Sequence, residues 1–370
     1  MTGTHIPKAM AGAVLRVDLD AIQKNYRALI DHLDGVPAAA VVKADGYGLG
    51  AERVGPALAA AGCRVFFVAH LAEGIALRAA LPDTEIHILN GLLPDSLYAY
   101  REHLLVPVLG SLGDLAHWRS FCGDIPLPCD IHVDTGMLRL GLPPDELDVL
   151  ANAPDRLTGL NVRFVMSHLA SAEEPESDQN PRQLAAFSRA REILPMGQAC
   201  FANSSGIFLG PDYHFDMTRP GVAIYGANPT PGQPNPMMPS VTLKSRIVQV
   251  RHATAGETVG YNATYRVDNK ALIATVPVGY ADGYLRSLSG VASGMIDGIM
   301  VPLVGRVSMD LITFDVSAVP ETKRQPGQWI ELLGPNITVD SLAAAAGTIS
   351  YEILTNLGRR YHRVYTGEPK

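Results

Sequence analysis

Cysteine is scarce in this chain and poorly placed for metal or redox chemistry. Only Cys63, Cys122, Cys129 and Cys200 occur in 370 residues, and no two have C-x-x-C spacing. Reduced and mostly buried thiols are the expectation. Clusters of Lys and Arg are also missing and the net charge is −7. That pattern argues against nucleic acid or an anionic membrane as a partner and favours a small-molecule ligand. No apolar run approaches a membrane span, and Met1 to Gly12 lack an apolar core of signal-peptide length, so the expected location is cytoplasmic. Long repeats and low-complexity tracts are absent as well. What remains is a globular composition, 47% hydrophobic, long enough for a large core and more readily two domains than one.

From residue 14 to about 226, short apolar, β-branched runs alternate with longer amphipathic segments, the signature of repeated βα units. Expected strands cover 14–19, 39–43, 65–69, 85–89, 105–109, 129–133, 162–168, 199–202 and 221–225, with helical patterns such as 21–33, 51–61 and 182–194 between them. About eight units in this length fit a (β/α)8 TIM-type barrel better than an open sheet, with a doubly wound fold as the alternative. Residues 228–236 are dense in Pro, Asn and Gly and read as a linker. Beyond it, 242–252, 271–278, 300–304, 311–316 and 329–333 alternate apolar and polar residues between Gly-containing turns, which suggests a mainly antiparallel β domain. Helical patterns at 339–346 and 351–357 interrupt it. The expected α/β organisation is a barrel over 12–230 and a β domain over 236–370, with residues 1–11 as a candidate addition to the second.

The apolar run Ala38-Ala39-Ala40-Val41-Val42 closes on Lys43 and opens into Ala44-Asp45-Gly46-Tyr47-Gly48-Leu49-Gly50. A lysine at the end of a buried parallel strand emerges where such folds place chemistry. Desolvation lowers its pKa and makes it a candidate nucleophile for an aldehyde cofactor. Tyr47 and the glycines around it supply a hydroxyl and a backbone able to approach a phosphate closely. A solvated strand terminus is the plain alternative.

The stretch from Ala40 to Gly48 closely resembles the pyridoxal-phosphate lysine motif of the alanine racemase family. Further matches run in the family's order: His132-Val133-Asp134-Thr135-Gly136-Met137-Leu138-Arg139-Leu140-Gly141, Ser167-His168, Asn203-Ser204-Ser205-Gly206, Arg219-Pro220-Gly221-Val222-Ala223-Ile224-Tyr225-Gly226, Gly260-Tyr261-Asn262-Ala263-Thr264-Tyr265, Gly279-Tyr280-Ala281-Asp282-Gly283, Gly305-Arg306-Val307-Ser308-Met309-Asp310 and Tyr351-Glu352-Ile353. They span nearly the whole chain.

The resemblance implies a barrel-fold, pyridoxal 5'-phosphate-dependent racemase that interconverts L- and D-alanine as a homodimer with shared active sites and supplies D-alanine for peptidoglycan. Lys43 would hold the cofactor and act as base on one face of the α-carbon. The partner subunit's Tyr261 would serve the other face, helped by His168 and Arg219. Tyr47, Ser204, Gly221, Val222 and Tyr351 correspond to the phosphate contacts, although Ser204 by itself reads equally as an N-cap in an ordinary turn. Arg219 corresponds to the partner of the cofactor's ring nitrogen; a guanidinium only donates, so it cannot stabilise a protonated ring. Arg139, with the Met309 amide, corresponds to the carboxylate site. No metal is implied.

Two positions depart from the family pattern. His132 stands where better-known members carry a carbamylated lysine that props the arginine, and Cys200 where some carry a histidine hydrogen-bonded into the arginine network. The competing readings are a racemase of another or broader amino-acid range, a barrel decarboxylase and a pyridoxal-phosphate carrier or regulatory protein. A retained Arg139 speaks against decarboxylation, and the domain carrying Tyr261 against a carrier.

Overall fold

The computed structural model describes residues 9–367. Strand β1 (Ala13–Asp18) leads into α1 (Leu19–His32), capped by the Asp18 carboxylate, which accepts the Ala21 amide at 3.0 Å. A series of parallel strands follows, β2 (Ala40–Val41), β3 (Val65–Val68), β4 (Glu85–Ile88), β5 (Val106–Leu109), β6 (Pro128–His132), β7 (Asn161–Met166) and β8 (Gln198–Cys200), each paired with the next. Between and around them lie α2 (Lys43–Tyr47), α3 (Ala51–Ala60), α4 (Leu71–Ala80), α5 (Leu97–Glu102), α6 (Leu112–Cys122), α7 (Pro144–Asn152) and α8 (Gln179–Ile193). Residues 217–221 close the ring. Met217 bridges Cys200, Thr218 bridges Ala38, the Arg219 amide donates to Ala202 O at 2.8 Å, and the Val41 amide donates to Pro220 O at 3.0 Å. The result is a (β/α)8-type barrel, followed by a mainly antiparallel β domain.

Two expected barrel strands are placed differently. The run at 14–19 forms β1, but β1 lies in a six-stranded sheet of the second domain, antiparallel to β9 (Val241–Arg246) and parallel to the last strand. Its exposure alternates, with Leu15 and Val17 buried and Arg16 exposed. A barrel strand is buried on both faces, as Ala40 and Val41 are. The run at 221–225 is a 3-10 turn, Val222–Tyr225; Pro220 offers no N–H to a ladder, so the strand ends there. Residues 1–8, part of the candidate addition to the second domain, lie outside the described residues.

The expected strand 242–252 is divided, since β9 and β10 (Gln249–Ala253) belong to different sheets. Beyond β10 come β11 (Thr258–Val259), β12 (Tyr265–Arg266), β13 (Ala271–Val276), β14 (Ser293–Ile296), β15 (Ile299–Pro302), β16 (Ile312–Asp315), β17 (Trp329–Leu333) and β18 (His362–Thr366). The six-stranded sheet has the order β15-β14-β17-β9-β1-β18, and β10-β13-β16 form a second sheet. Helices α9 (Val339–Ala346) and α10 (Ser350–Thr355) return to the barrel. The linker is pinned, because the Asp340 carboxylate accepts the Asn228 amide at 3.1 Å.

One buried ionic pair stands among the apolar side chains of the barrel interior. His87 on β4 is fully buried, stacks on Phe67 with centroids 4.6 Å apart, and places Nδ1 2.6 Å from Asp130 Oδ2. The other Asp130 oxygen accepts the Phe164 amide at 3.1 Å. Burial alone would lower the His87 pKa, but the Asp130 charge and hydrogen bond outweigh it and hold the imidazole at about 9. Nε2 lies 3.4 Å from Glu85 Oε2 without making a hydrogen bond.

Candidate active site

The chain reverses sharply after β2. Val42 still pairs with the β3 strand, its amide donating to Phe67 O at 2.9 Å. Past Lys43 the backbone then turns left-handed, with Ala44, Asp45 and Gly46 at φ 54°, 56° and 62° and Tyr47 at 54°. Such a run is unfavourable for L-residues and persists only where its surroundings dictate it. Here Gly46 N donates to Val42 O, Gly48 N to Ala44 O, and Ala44 N to the Glu73 carboxylate at 2.7 Å. A Cβ on Gly48 would lie 2.5 Å from Leu354 O, so glycine there lets α10 dock on the turn and bring Tyr351 over it. Arg363 ties the same segment to the second domain by donating to Gly48 O at 2.6 Å. Burial first, then the Arg139 cation, lowers the Lys43 pKa, with Glu73 opposing.

Beside the turn lies a cluster of hydroxyls and amides. Ser204 Oγ, buried, accepts the Gly221 amide at 2.9 Å and the Ala223 amide at 3.3 Å. A hydroxyl that accepts twice keeps its own proton to donate. Between those two amides is that of Val222, which begins the 3-10 turn and has no acceptor within it. Gly221 touches Tyr47 so closely that a Cβ there would sit 2.1 Å from the phenol oxygen. The Tyr47 phenol makes no hydrogen bond among the described residues; its ring lies 4.6 Å from that of Tyr225 and 6.0 Å from that of Tyr351. Burial raises the pKa of both Tyr47 and Tyr351, so both stay neutral donors. Tyr351 Oη donates to a Glu173 carboxylate oxygen at 3.3 Å. A glycine cradle, hydroxyl donors and a free amide fit a phosphate group without a cationic side chain.

Arg219 leaves the closing segment into the same space and is 4% exposed. Nη1 donates to Cys200 O at 2.8 Å and to Cys200 Sγ at 3.0 Å, and Nη2 to Ser167 O at 2.5 Å. No carboxylate pairs with it among the described residues, and Nε is not engaged. Cys200 therefore takes up the arginine contact itself; burial, its largest influence, raises the thiol pKa and keeps it neutral. Burial, then the Arg219 charge, keeps His168 well below its usual pKa and brings His132 down to about 4.

Arg139 stands on the loop after β6, shaped by Asp134 Oδ1, which accepts the amides of Gly136, Met137 and Leu138 at 2.9, 3.0 and 3.1 Å. Arg139 makes no hydrogen bond or ion pair among the described residues. Sequence reasoning missed Gln183, fully buried on α8. Its amide nitrogen donates to Thr135 Oγ1 at 3.0 Å and His168 O at 2.8 Å, while its oxygen accepts the Ala170 amide at 2.8 Å. It thus fastens the loops carrying Arg139 and His168. A lone glutamine in an amphipathic helix gives no sequence signal of this.

Two candidate residues lie apart from this group. Tyr261 follows a left-handed Gly260 and is 71% exposed, and Met309 is 53% exposed. Neither hydrogen-bonds to the Lys43 cluster.

Residues 17–229 match the alanine racemase N-terminal domain and 240–365 the alanine racemase C-terminal domain. The chain is 48% identical to a catabolic alanine racemase of Mesorhizobium japonicum, with 99% of this chain and 97% of the relative covered. It is 49% identical to an alanine racemase of Rhodospirillum rubrum over 96% of each. Among solved structures, the alanine racemase of Bartonella henselae, with covalently bound pyridoxal phosphate, superposes with a TM-score of 0.92 at 39% identity, covering 96% of this chain and 99% of that one. Both domains, their order and nearly the full length agree, and the chain belongs to the alanine racemase family of enzymes.

Proposed function

We propose that this protein interconverts L- and D-alanine using pyridoxal 5'-phosphate attached at Lys43. The observation that carries the reading is the meeting, at one end of the barrel, of a lysine of lowered proton affinity with the Tyr47, Ser204, Gly221 and Val222 cradle and the buried Arg219. When bound, the cofactor supplies an electron sink that makes the substrate's α-proton acidic.

The protein's residues supply the rest. The cradle would hold the phosphate through the hydroxyls of Tyr47 and Ser204 and the Val222 amide, with Tyr351 joining them by turning its hydroxyl from Glu173; the Gly221 amide is already given to Ser204. Arg219 spends both terminal nitrogens on Ser167 and Cys200 and keeps Nε for the ring nitrogen. As a permanent donor it leaves that nitrogen unprotonated, which moderates the sink and suppresses side reactions. His168, neutral, lines the same space. Arg139, unpaired among the described residues, is a fork suited to the substrate carboxylate, with the Met309 amide as second donor. Lys43 Nζ takes or returns the proton on one face of the α-carbon, and the partner subunit's Tyr261 does so on the other. Two bases on opposite faces permit inversion.

The exposure of Tyr261 and Met309, together with the exposed Leu138 and Leu311, supports a homodimer in which the second domain of one copy completes the site of the other. The cellular role that accords with this reading is cytoplasmic supply of D-alanine for peptidoglycan. In the deciding experiment, purified protein with pyridoxal 5'-phosphate is given L-alanine and D-alanine separately, and chirality and pyruvate are followed together. Convergence to a racemic mixture with little pyruvate is expected. Pyruvate without inversion, or no change in either isomer, refutes the reading. Growth of a racemase-deficient bacterium without added D-alanine tests the cellular role.

A further inference from the structure

Glu73, half-buried in the first turn of α4, does more than cap its own helix. Oε2 accepts the amides of Ala69 and His70 at 2.8 and 3.0 Å, which accounts for the cap. Oε1 reaches across to another βα unit and accepts the Ala44 amide at 2.7 Å. Ala44 immediately follows Lys43 and is the first residue of the left-handed turn. The carboxylate thus joins the ends of β2 and β3 through three backbone donors.

We propose, on the reading of Lys43 as the cofactor lysine, that Glu73 is a positioning residue for it: one carboxylate that locks the lysine-bearing turn in its left-handed form and so fixes the direction in which Lys43 leaves the barrel. The geometry asks for a carboxylate in particular. Donors approach both oxygens, and an amide side chain would turn its NH2 group against one of them. The charge acts in the same place. Glu73 is the anion that opposes Arg139 and Arg219 in acting on Lys43.

The test uses full-length protein freed of cofactor. Lys43 is acetylated competitively across a pH series and its labelling midpoint is read by mass spectrometry, and pyridoxal 5'-phosphate affinity is measured by absorbance titration. Glu73→Gln removes the charge and one acceptor. Its Lys43 midpoint should fall by about half a unit or more, roughly threefold more neutral amine at a given pH, and the Kd for pyridoxal 5'-phosphate should rise roughly tenfold. A helix cap alone would change thermal stability and leave the midpoint in place, so an unmoved midpoint in folded Glu73→Gln overturns the proposal. Glu73→Asp keeps the charge but is too short to span both strand ends; its midpoint should stay nearer wild type while its Kd still rises. If Glu73→Gln does not fold, a wild-type Kd in Glu73→Asp overturns the proposal instead. Wild-type protein that takes up no pyridoxal 5'-phosphate at Lys43 would refute the functional reading, and the labelling comparison would still judge the hold of Glu73 on Lys43.

Discussion

Replacing Gly221 by alanine sets a single methyl group against a single hydroxyl. The added Cβ would lie 2.1 Å from Tyr47 Oη and 3.0 Å from Cζ, so the phenol must withdraw by about 1 Å to restore ordinary contact. It has little room to do so, with Tyr225 packed at 4.6 Å and the side chain 5% exposed. Overpacking of this kind costs about 1–3 kcal/mol. Withdrawal also takes the hydroxyl away from the phosphate, and a hydrogen bond to a charged group contributes about 1.5–3 kcal/mol. That corresponds to a loss of roughly 10- to 100-fold in affinity for pyridoxal 5'-phosphate. Urea unfolding of the cofactor-free protein measures the first effect and absorbance titration the second. Tyr47→Phe removes the opposing atom, so the same alanine added in that background should cost at least about 1 kcal/mol less stability. Wild-type stability and affinity in Gly221→Ala, or equal costs in both backgrounds, would refute the cradle as described.

Mixing inactive Lys43→Ala and inactive Tyr261→Phe subunits should restore part of the activity, since hybrid dimers hold one site with both bases; proven subunit exchange without recovery would place both bases in one chain. Gln183→Leu should lower stability by about 1–3 kcal/mol, because the Ala170 amide and the His168 carbonyl lose their Gln183 partner and the Thr135 hydroxyl keeps only Ser167, and should raise KM through the Arg139 loop; an unchanged Tm and KM would show that neither loop depends on it. His87, held at about 9 by Asp130 in the folded state, well above the ordinary imidazole value, binds its proton more tightly folded than unfolded. Its contribution to stability is therefore complete below the unfolded value and lost as pH rises through about 9. Urea midpoints of wild type should fall over that window, and those of His87→Gln should fall less; parallel curves would rule out the buried ion pair as the cause.

Elements were legible where one residue type forces one outcome. The apolar run ending at Lys43 marked a buried strand. Strand β1 was legible as a strand but not as a member of the second sheet. Its exposed Arg16 was the available sign, and its partners at 241–246 and 362–366 lie far along the chain. The conformation of 222–225 depends on barrel closure by the preceding residues, which no local pattern reports. The proposed site's motif residues stand out in the sequence because the chemistry proposed for them needs those side chains. Glu73 and Gln183 act on backbone atoms of distant loops, so their types carry no mark of the role. The His87–Asp130 pair likewise joins two strands through a contact that exists only once the barrel has closed.

The position of β1 bears on how the protein is made. Strand β1 is synthesised well before its antiparallel partner β9 and its parallel partner β18, with Leu15 opposite both Leu243 and Arg363. At synthesis rates of ~5–20 residues per second, the segment waits on the order of 10–50 s for β9 and longer for β18. During that interval the barrel strands can assemble, while β1 remains an unpaired, half-apolar ribbon exposed to other nascent chains. A chain that stopped before residue 362 would leave β1 as a permanently open sheet edge. Premature termination near the carboxy terminus should therefore yield aggregates rather than a merely shortened enzyme.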